Sequence, residues 1–335
     1  MLALFTGLHF LVDGLCAASM AAYAVGQPFL EPIVFYFGLY NGIAFGTQWL
    51  AGYLFDRKET WIRGAFLFVP IALGLGTVAG LGIGARTVLL GIGNSVFHAS
   101  AGSFVLRRYQ TYKEPGIFVS SGAVGLALGL NCIVGPYPFL AACAVLSLTA
   151  AYRIRNMNLP EAERPASETA VPAAGMFSAA AGFSLVLLLG CVILRGFGSG
   201  SAGSPYLMLF PCVFAAGKAL GGILCDKAGY KKAILAIFLL SFAALQLKGL
   251  FASVLLVLAF NMTMPLTLRL VHWSFPRYPG MMFGLAAGCL LPGVYYHGFS
   301  VPLQAMAVLQ FLCLAAAGYL LWKKTGRPDF GETGL

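Results

Sequence analysis

Charge is the scarcest resource in this sequence. Lys, Arg, Asp and Glu together make up 10% of its 335 residues, against roughly 25% in a soluble domain. That excludes a free-standing soluble globule, and the 59% hydrophobic content places the chain in lipid. Acids are rarer than bases, eleven against 21, for a formal charge of +10. The basic excess is no nucleic-acid signal, because the cations sit in short loops beside apolar runs, as at a cytoplasmic membrane face. Cysteine pairing is also missing. Cys16, Cys132, Cys143, Cys191, Cys212, Cys225, Cys289 and Cys313 lie in or beside apolar segments without a Cys-x2-Cys pair. They read as small buried hydrophobes rather than disulfides or a metal site. Nucleotide, zinc-protease and hydrolase motifs are absent, and no polar stretch is long enough for an aqueous domain. The expectation is therefore not an enzyme, with no cofactor, no metal site and no nucleic-acid partner. Any driving force would be a proton or other ion gradient. The first apolar run lacks a basic start and is interrupted by Asp13, so it does not read as a cleaved signal peptide.

What is present is a series of apolar runs. A spanning helix needs ~20 apolar residues, and lipid admits only helices or closed barrels. No two-residue alternation suggests barrel strands. The fold class expected is an all-α polytopic membrane protein with twelve transmembrane helices. The spans are 2–24, 33–54, 64–84, 87–106, 116–135, 137–152, 177–197, 205–224, 233–247, 250–271, 280–296 and 301–322. With the N-terminus inside, all cations but Arg86, Arg195, Lys218 and Lys248 fall on or toward the cytoplasmic side, which sets the orientation with both termini cytoplasmic. Arg269, at the inner end of the tenth span, reads as a snorkelling cation. One connector is long and polar. Rich in Pro, Ala and Glu, it reads as a flexible linker and divides the chain into an N-terminal six-helix bundle (1–153), a linker (154–176), a C-terminal six-helix bundle (177–322) and a tail (323–335).

A short motif occurs in both halves. Gly52, Asp56 and Arg57 precede Glu59, and about 170 residues later Gly222, Asp226, Lys227, Gly229, Lys231 and Lys232 repeat the pattern more fully. Glycine admits close helix approach, and an Asp at a helix end can meet the positive N-terminus of another helix. This pattern resembles the signature of the major facilitator superfamily, Gly-x3-Asp-Arg/Lys-x-Gly-Arg/Lys-Arg/Lys, with Glu59 departing from it in the early copy. The resemblance implies that Asp56 and Asp226 are gate residues latching one half against the other. It also implies that spans 1, 4, 7 and 10 line a central cavity.

Charges at bilayer depth cost ~2.5–3.5 kcal/mol on insertion scales, so each is a site candidate. Asp13 is the one acid well inside a span, and His9 shares its helix face. On span 4, His98 and Asn94 also lie one turn apart. Asp13 is expected to carry a proton that His9 and His98 tune. The His9/Asp13 pair with Gly93-Asn94-Ser95-Val96-Phe97-His98 is similar to the fosmidomycin-resistance branch of the superfamily, although Ala99 stands where that branch has Pro. Lys218, whose counterpart in the first half is Gln48, needs an anion. Arg195, Asn261 and Thr263 are further ligand candidates on spans 7 and 10. Gly122, Gly125 and Gly129 on span 5 and Gly284 and Gly288 on span 11 form small-residue faces, which the resemblance puts at the boundary between the halves. Leu130 after Gly129 departs from the Gly-Pro of drug/proton antiporters.

The expected function is secondary transport across the inner membrane, by alternating access, of a small organic solute with an anionic group for Lys218. Proton-coupled efflux is the first direction, and uptake of a carboxylate by a symporter or exchanger the alternative. A receptor or scaffold on the same fold is the third. The expected partners are the bilayer and the solute, and the expected state is a monomer.

Overall fold

A computed structural model describes residues 1–58, 60–78, 80–155, 157, 178–198, 207–295 and 302–325. Glu59, nearly all of the expected linker and most of the tail lie outside the described residues. Within them the structure is helical, with no strand. Fifteen helices follow in order: α1 (Leu2–Val25), α2 (Leu30–Gly46), α3 (Gln48–Arg57), α4 (Thr60–Thr77), α5 (Ile83–Arg108), α6 (Lys113–Ser120), α7 (Gly122–Leu130), α8 (Pro136–Arg155), α9 (Ala179–Gly198), α10 (Leu209–Ala228), α11 (Tyr230–Leu245), α12 (Gly249–Ser274), α13 (Pro279–Gly288), α14 (Leu291–Tyr295) and α15 (Leu303–Thr325). Eight of these are long and apolar enough to cross a membrane.

Three expected spans are interrupted. The pair α2/α3 breaks at Thr47, whose hydroxyl donates to the Ile43 carbonyl (2.7 Å) and can accept from the Ser95 hydroxyl (2.8 Å). The pair α6/α7 breaks at Ser121, whose hydroxyl donates to the Thr6 carbonyl (2.6 Å). The pair α13/α14 breaks at Cys289 and Leu290, where Pro292 has no N–H to carry the helical ladder back to Gly288.

Phenylalanines knit the first core. Phe5 stacks on Phe66 (5.2 Å between centroids) and meets Phe104 edge-on (4.9 Å). Leu8, Val12, Leu15, Phe97 and Phe118 complete it with no exposed surface, and Phe283 and Ala286 join from α13. A second core gathers Leu188, Cys191, Tyr230, Leu266, Leu270, Leu314 and Leu321, with Tyr112 contributed from just before α6. Val25, Phe35, Ile71, Tyr137, Val145 and Phe251 are exposed, which suits side chains that face lipid rather than water. Against the expectation that all cysteines are buried, Cys132 and Cys212 are exposed, on the ends of apolar segments; all eight are free thiols.

The glycine stripe of the fifth span faces a different neighbour from the one expected. A Cβ on Gly125 would strike the Phe10 carbonyl, and one on Gly129 would strike the Gly14 carbonyl. Both residues press α7 onto α1, the helix with which it packs most extensively. It is Gly116 that meets the backbone of Lys218 on α10, while Gly284 meets that of Gln48 and Trp49 on α3.

Candidate functional site

Helical spacing sets out the site. His9 and Asp13 lie one turn apart on α1, and Asn94 and His98 one turn apart on α5. The two helices face each other, so four polar side chains expected from sequence meet. His9 Nε2 is 3.1 Å from Asp13 Oδ2, and His98 Nε2 is 3.5 Å from Asp13 Oδ1. Asn94 Nδ2 donates to Asp13 Oδ1 (3.1 Å), while its Oδ1 is buried without a partner. The two imidazoles meet through their Nε2 atoms at 2.9 Å.

The other ring nitrogens decide what that contact is. His9 Nδ1 lies 2.8 Å from the Phe118 carbonyl, and His98 Nδ1 lies 2.9 Å from the Asn94 carbonyl. A carbonyl oxygen can only accept, so both Nδ1 atoms carry hydrogen, a tautomer assigned from the network. In neutral imidazoles both Nε2 lone pairs then point at each other. One further proton between them converts that repulsion into an N–H···N hydrogen bond, with Asp13 as counter-charge. The arrangement can therefore hold one shared proton. The ligand atoms of His9, Asp13 and His98 all lie within 4.8 Å of one another, a spacing that would also admit a small cation. The 2.9 Å nitrogen separation is shorter than the edge of about 3.3 Å in a tetrahedral site with 2.0–2.1 Å bonds, and it suits a proton better.

Gly122 closes the cluster from α7. Any Cβ there would collide with Asp13 Oδ2 and His9 Nε2. Beside it opens a cavity of about 210 Å³, lined by His9, Asp13, His98, Gln48, Lys218 and Arg195 among apolar side chains that include Phe45, Val119, Leu126, Met264, Leu268, Phe283 and Leu290. Lys218 reaches this cavity with no hydrogen bond or ion pair to any described residue. Arg195, only 3% exposed, donates from Nη1 to Thr267 Oγ1 (3.1 Å). Gln48 is fully buried; its Nε2 donates to the Ala44 carbonyl (2.7 Å), and its Oε1 has no partner. Asn261 and Thr263 do not line the cavity. Their polar atoms bond the Val257 and Phe260 carbonyls of their own helix.

The duplicated loop motifs form a second constellation. Asp56 accepts from Arg107 Nη2 (2.9 Å), Ser103 Oγ (3.1 Å) and the backbone N–H groups of Gly280 (3.0 Å) and Met281 (2.8 Å) at the start of α13. Asp226 accepts from the backbone N–H groups of Tyr112 (2.8 Å) and Lys113 (2.9 Å) at the start of α6. Each carboxylate therefore sits at a helix N-terminus, where backbone donors and dipole favour an anion. Gly52 and Gly222 allow it, since a Cβ on either would strike the backbone of Gly280 or of Tyr112 and Lys113. Gly229 sits at φ +80° between α10 and α11, backbone that suits glycine. The motif cations are peripheral. Arg57 bonds the Tyr53 hydroxyl (3.0 Å), Lys231 lies over the Trp322 ring, and Lys227 and Lys232 are exposed.

Arg269 corrects the sequence reading. It does not snorkel; it has no exposed surface. Its guanidinium donates to the carbonyls of Leu106 (3.2 Å), Tyr109 (2.5 Å) and Thr111 (2.8 Å), at the end of α5 and the turn beyond. A planar fork with five donors suits a cluster of carbonyls, and α12 is tied to α5 by it. Arg107, which the sequence offers only as one of the cations on the cytoplasmic side, bonds both Ser103 and Asp56; the Ser103-x3-Arg107 spacing at the end of a span is the available signal.

No family model and no curated protein matches the sequence. Solved structures do match it in shape. The E. coli fucose:proton symporter FucP superposes with a TM-score of 0.66 at 13% identity, over 97% of this chain and 98% of that one. A second FucP structure, of a major facilitator superfamily transporter in the outward conformation, gives 0.61 at 14% identity, over 97% and 98%. A bacterial homologue of the iron transporter ferroportin, outward-facing, gives 0.56 at 13% identity, over 98% and 100%. At such identities the likeness is one of architecture, and the chain has the fold of major facilitator superfamily transporters.

Proposed function

We propose that this protein is a proton-coupled secondary transporter of a small organic solute in the inner membrane. The fifteen helices read as twelve spans when α2/α3, α6/α7 and α13/α14 each count as one broken span. Residues 1–153 and 177–322 then form two six-helix bundles that rock about the cavity, with both termini cytoplasmic. Asp56, Asp226 and Arg269 join the bundles at one end, so the cycle must break all three attachments to open that end.

The observation that carries the reading is the convergence of Asp13, His9 and His98, able to share a proton, on the same cavity as Lys218. A bound proton and a bound solute in one small space influence each other's affinity, which is the thermodynamic content of coupling. The test is transport into proteoliposomes under an imposed pH gradient, comparing wild type with Asp13→Asn and His98→Gln. The gradient should drive accumulation in wild type only, while both variants retain downhill exchange. Equal gradient-driven accumulation by Asp13→Asn would remove the cluster from coupling.

A further inference from the structure

We infer that the cavity takes a small organic monoanion, a carboxylate on an apolar body, and that anion and proton occupy it together rather than in exchange. This deepens the transport reading above and rests on it. The charge count comes from the cavity wall. Lys218 presents an ammonium with no partner among the described residues, whereas Arg195 is held by Thr267. Arg195 keeps its charge, since Thr267 is neutral, but Lys218 is the cation with donors open to a ligand, and a charge at this depth is costly until an anionic group pairs it. The rest of the wall is apolar, with Phe45, Met264, Phe283 and Leu290 prominent. An apolar cavity of ~150 Å³ accepts benzene, so 210 Å³ suits roughly eight non-hydrogen atoms.

The sign of coupling follows from charge. With the shared proton, the Asp13/His9/His98 cluster is net neutral; without it, the cluster carries −1. An incoming anion therefore binds more tightly to the protonated cavity, and by linkage the proton binds more tightly beside the anion. Unit charges about 7 Å apart, the width of a sphere of this volume, interact at an effective dielectric near 20 by an amount worth roughly ten- to fifty-fold in affinity. Other charged or titratable groups facing the cluster are Lys218 and Arg195 across the cavity, with Tyr40 and Cys16 close enough to feel Asp13. None of these offers an alternative carboxylate. Co-occupancy means that both ligands cross in the same direction, so an inward proton gradient drives uptake; a cationic solute would instead compete with the proton and be exchanged.

The experiment is calorimetric binding to the full chain in detergent, at pH 6 and pH 8, with benzoate and hexanoate as monoanions and benzamide, benzylamine and phthalate as neutral, cationic and dianionic counterparts. Benzoate or hexanoate should bind at least tenfold more tightly than benzamide, should bind more tightly at pH 6 than at pH 8, and should take up protons from a weak buffer. Lys218→Ala should lose the preference over benzamide, and Lys218→Arg should restore part of it. Preferred binding of benzylamine, of phthalate or of neither monoanion would overturn the class. Proton release on benzoate binding would overturn co-occupancy. The two readings fail separately. Gradient-driven flux of a neutral or cationic solute keeps proton coupling and removes the monoanion. Benzoate transport indifferent to the gradient does the reverse.

Discussion

Replacing Gly122 with Ala probes the site with a single methyl group. The added Cβ falls within contact distance of Asp13 Oδ2 and His9 Nε2, and 2.7 Å from His9 Cδ2. Ordinary contact needs about 3.4 Å or more, so the His9 ring must yield by nearly 1 Å. The Nε2–Nε2 contact at 2.9 Å then opens past hydrogen-bond range. A hydrogen bond to a charged group contributes about 1.5–3 kcal/mol. Alanine in place of glycine returns up to about 1 kcal/mol of helix propensity, so the net loss should be about 0.5–2 kcal/mol. Gly64→Ala on α4 is the control, because a Cβ there meets nothing and only the propensity gain remains. Thermal unfolding in detergent should place Gly122→Ala below wild type and Gly64→Ala at or above it. In proteoliposomes, Gly122→Ala should lose gradient-driven accumulation while Gly64→Ala keeps it. If Gly122→Ala accumulates solute like wild type, the tight seat of α7 is not what holds the proton cluster together.

Other expectations concern the latches. Arg107→Ala leaves the buried Asp56 carboxylate without its cation, a change that costs about 3–5 kcal/mol in comparable pairs; Asp56→Asn with Arg107→Gln should recover much of it, as a denaturation series can check. Asp226→Asn weakens two charge-assisted bonds to the start of α6 and should raise alkylation of the buried Cys225, read by peptide mass against the exposed Cys212 as internal standard. Arg269→Lys cannot span three carbonyls and should do the same; unchanged Cys225 protection would show that Arg269 plays no part in closing that end. Gly284→Ala pushes α13 off the backbone of α3 and should slow transport more than it alters solute affinity.

Much of the site was legible because its chemistry is local. His9-x3-Asp13 and Asn94-x3-His98 are four-residue spacings on long apolar helices, and any polar group there must find partners. Burial in lipid made them conspicuous, and the fold brought them together. Lys218 and Arg195 stood out on the same grounds. Asn261 and Thr263 looked equivalent, yet a short polar side chain can satisfy itself on its own helix turn, and sequence does not say which option is taken. Arg269 was misread because a cation near a span end reads as interfacial by default, and the carbonyls that receive it belong to a turn 158 or more residues away. The breaks at Thr47 and Ser121 were invisible for a related reason. Both residues are compatible with helix, and only their contacts with α5 and α1 end one. The glycine stripe was seen, but a stripe says how close a neighbour comes and not which neighbour it is.

Asp56 and Asp226 grip main-chain amides rather than side chains of the opposite helices. Any residue but proline can supply such an amide, so Met281 and Lys113 can drift while the carboxylates stay fixed; Gly280, where a Cβ would strike the Gly52 carbonyl, and Tyr112, packed in the second core, are held by their surroundings instead. Evolutionary covariation, which finds pairs that change in step, would therefore be blind to the contacts by which Asp56 joins α3 to α13 and Asp226 joins α10 to α6. A saturation library should show the same asymmetry, with little tolerance at the two aspartates and broad tolerance at Met281 and Lys113, proline excepted.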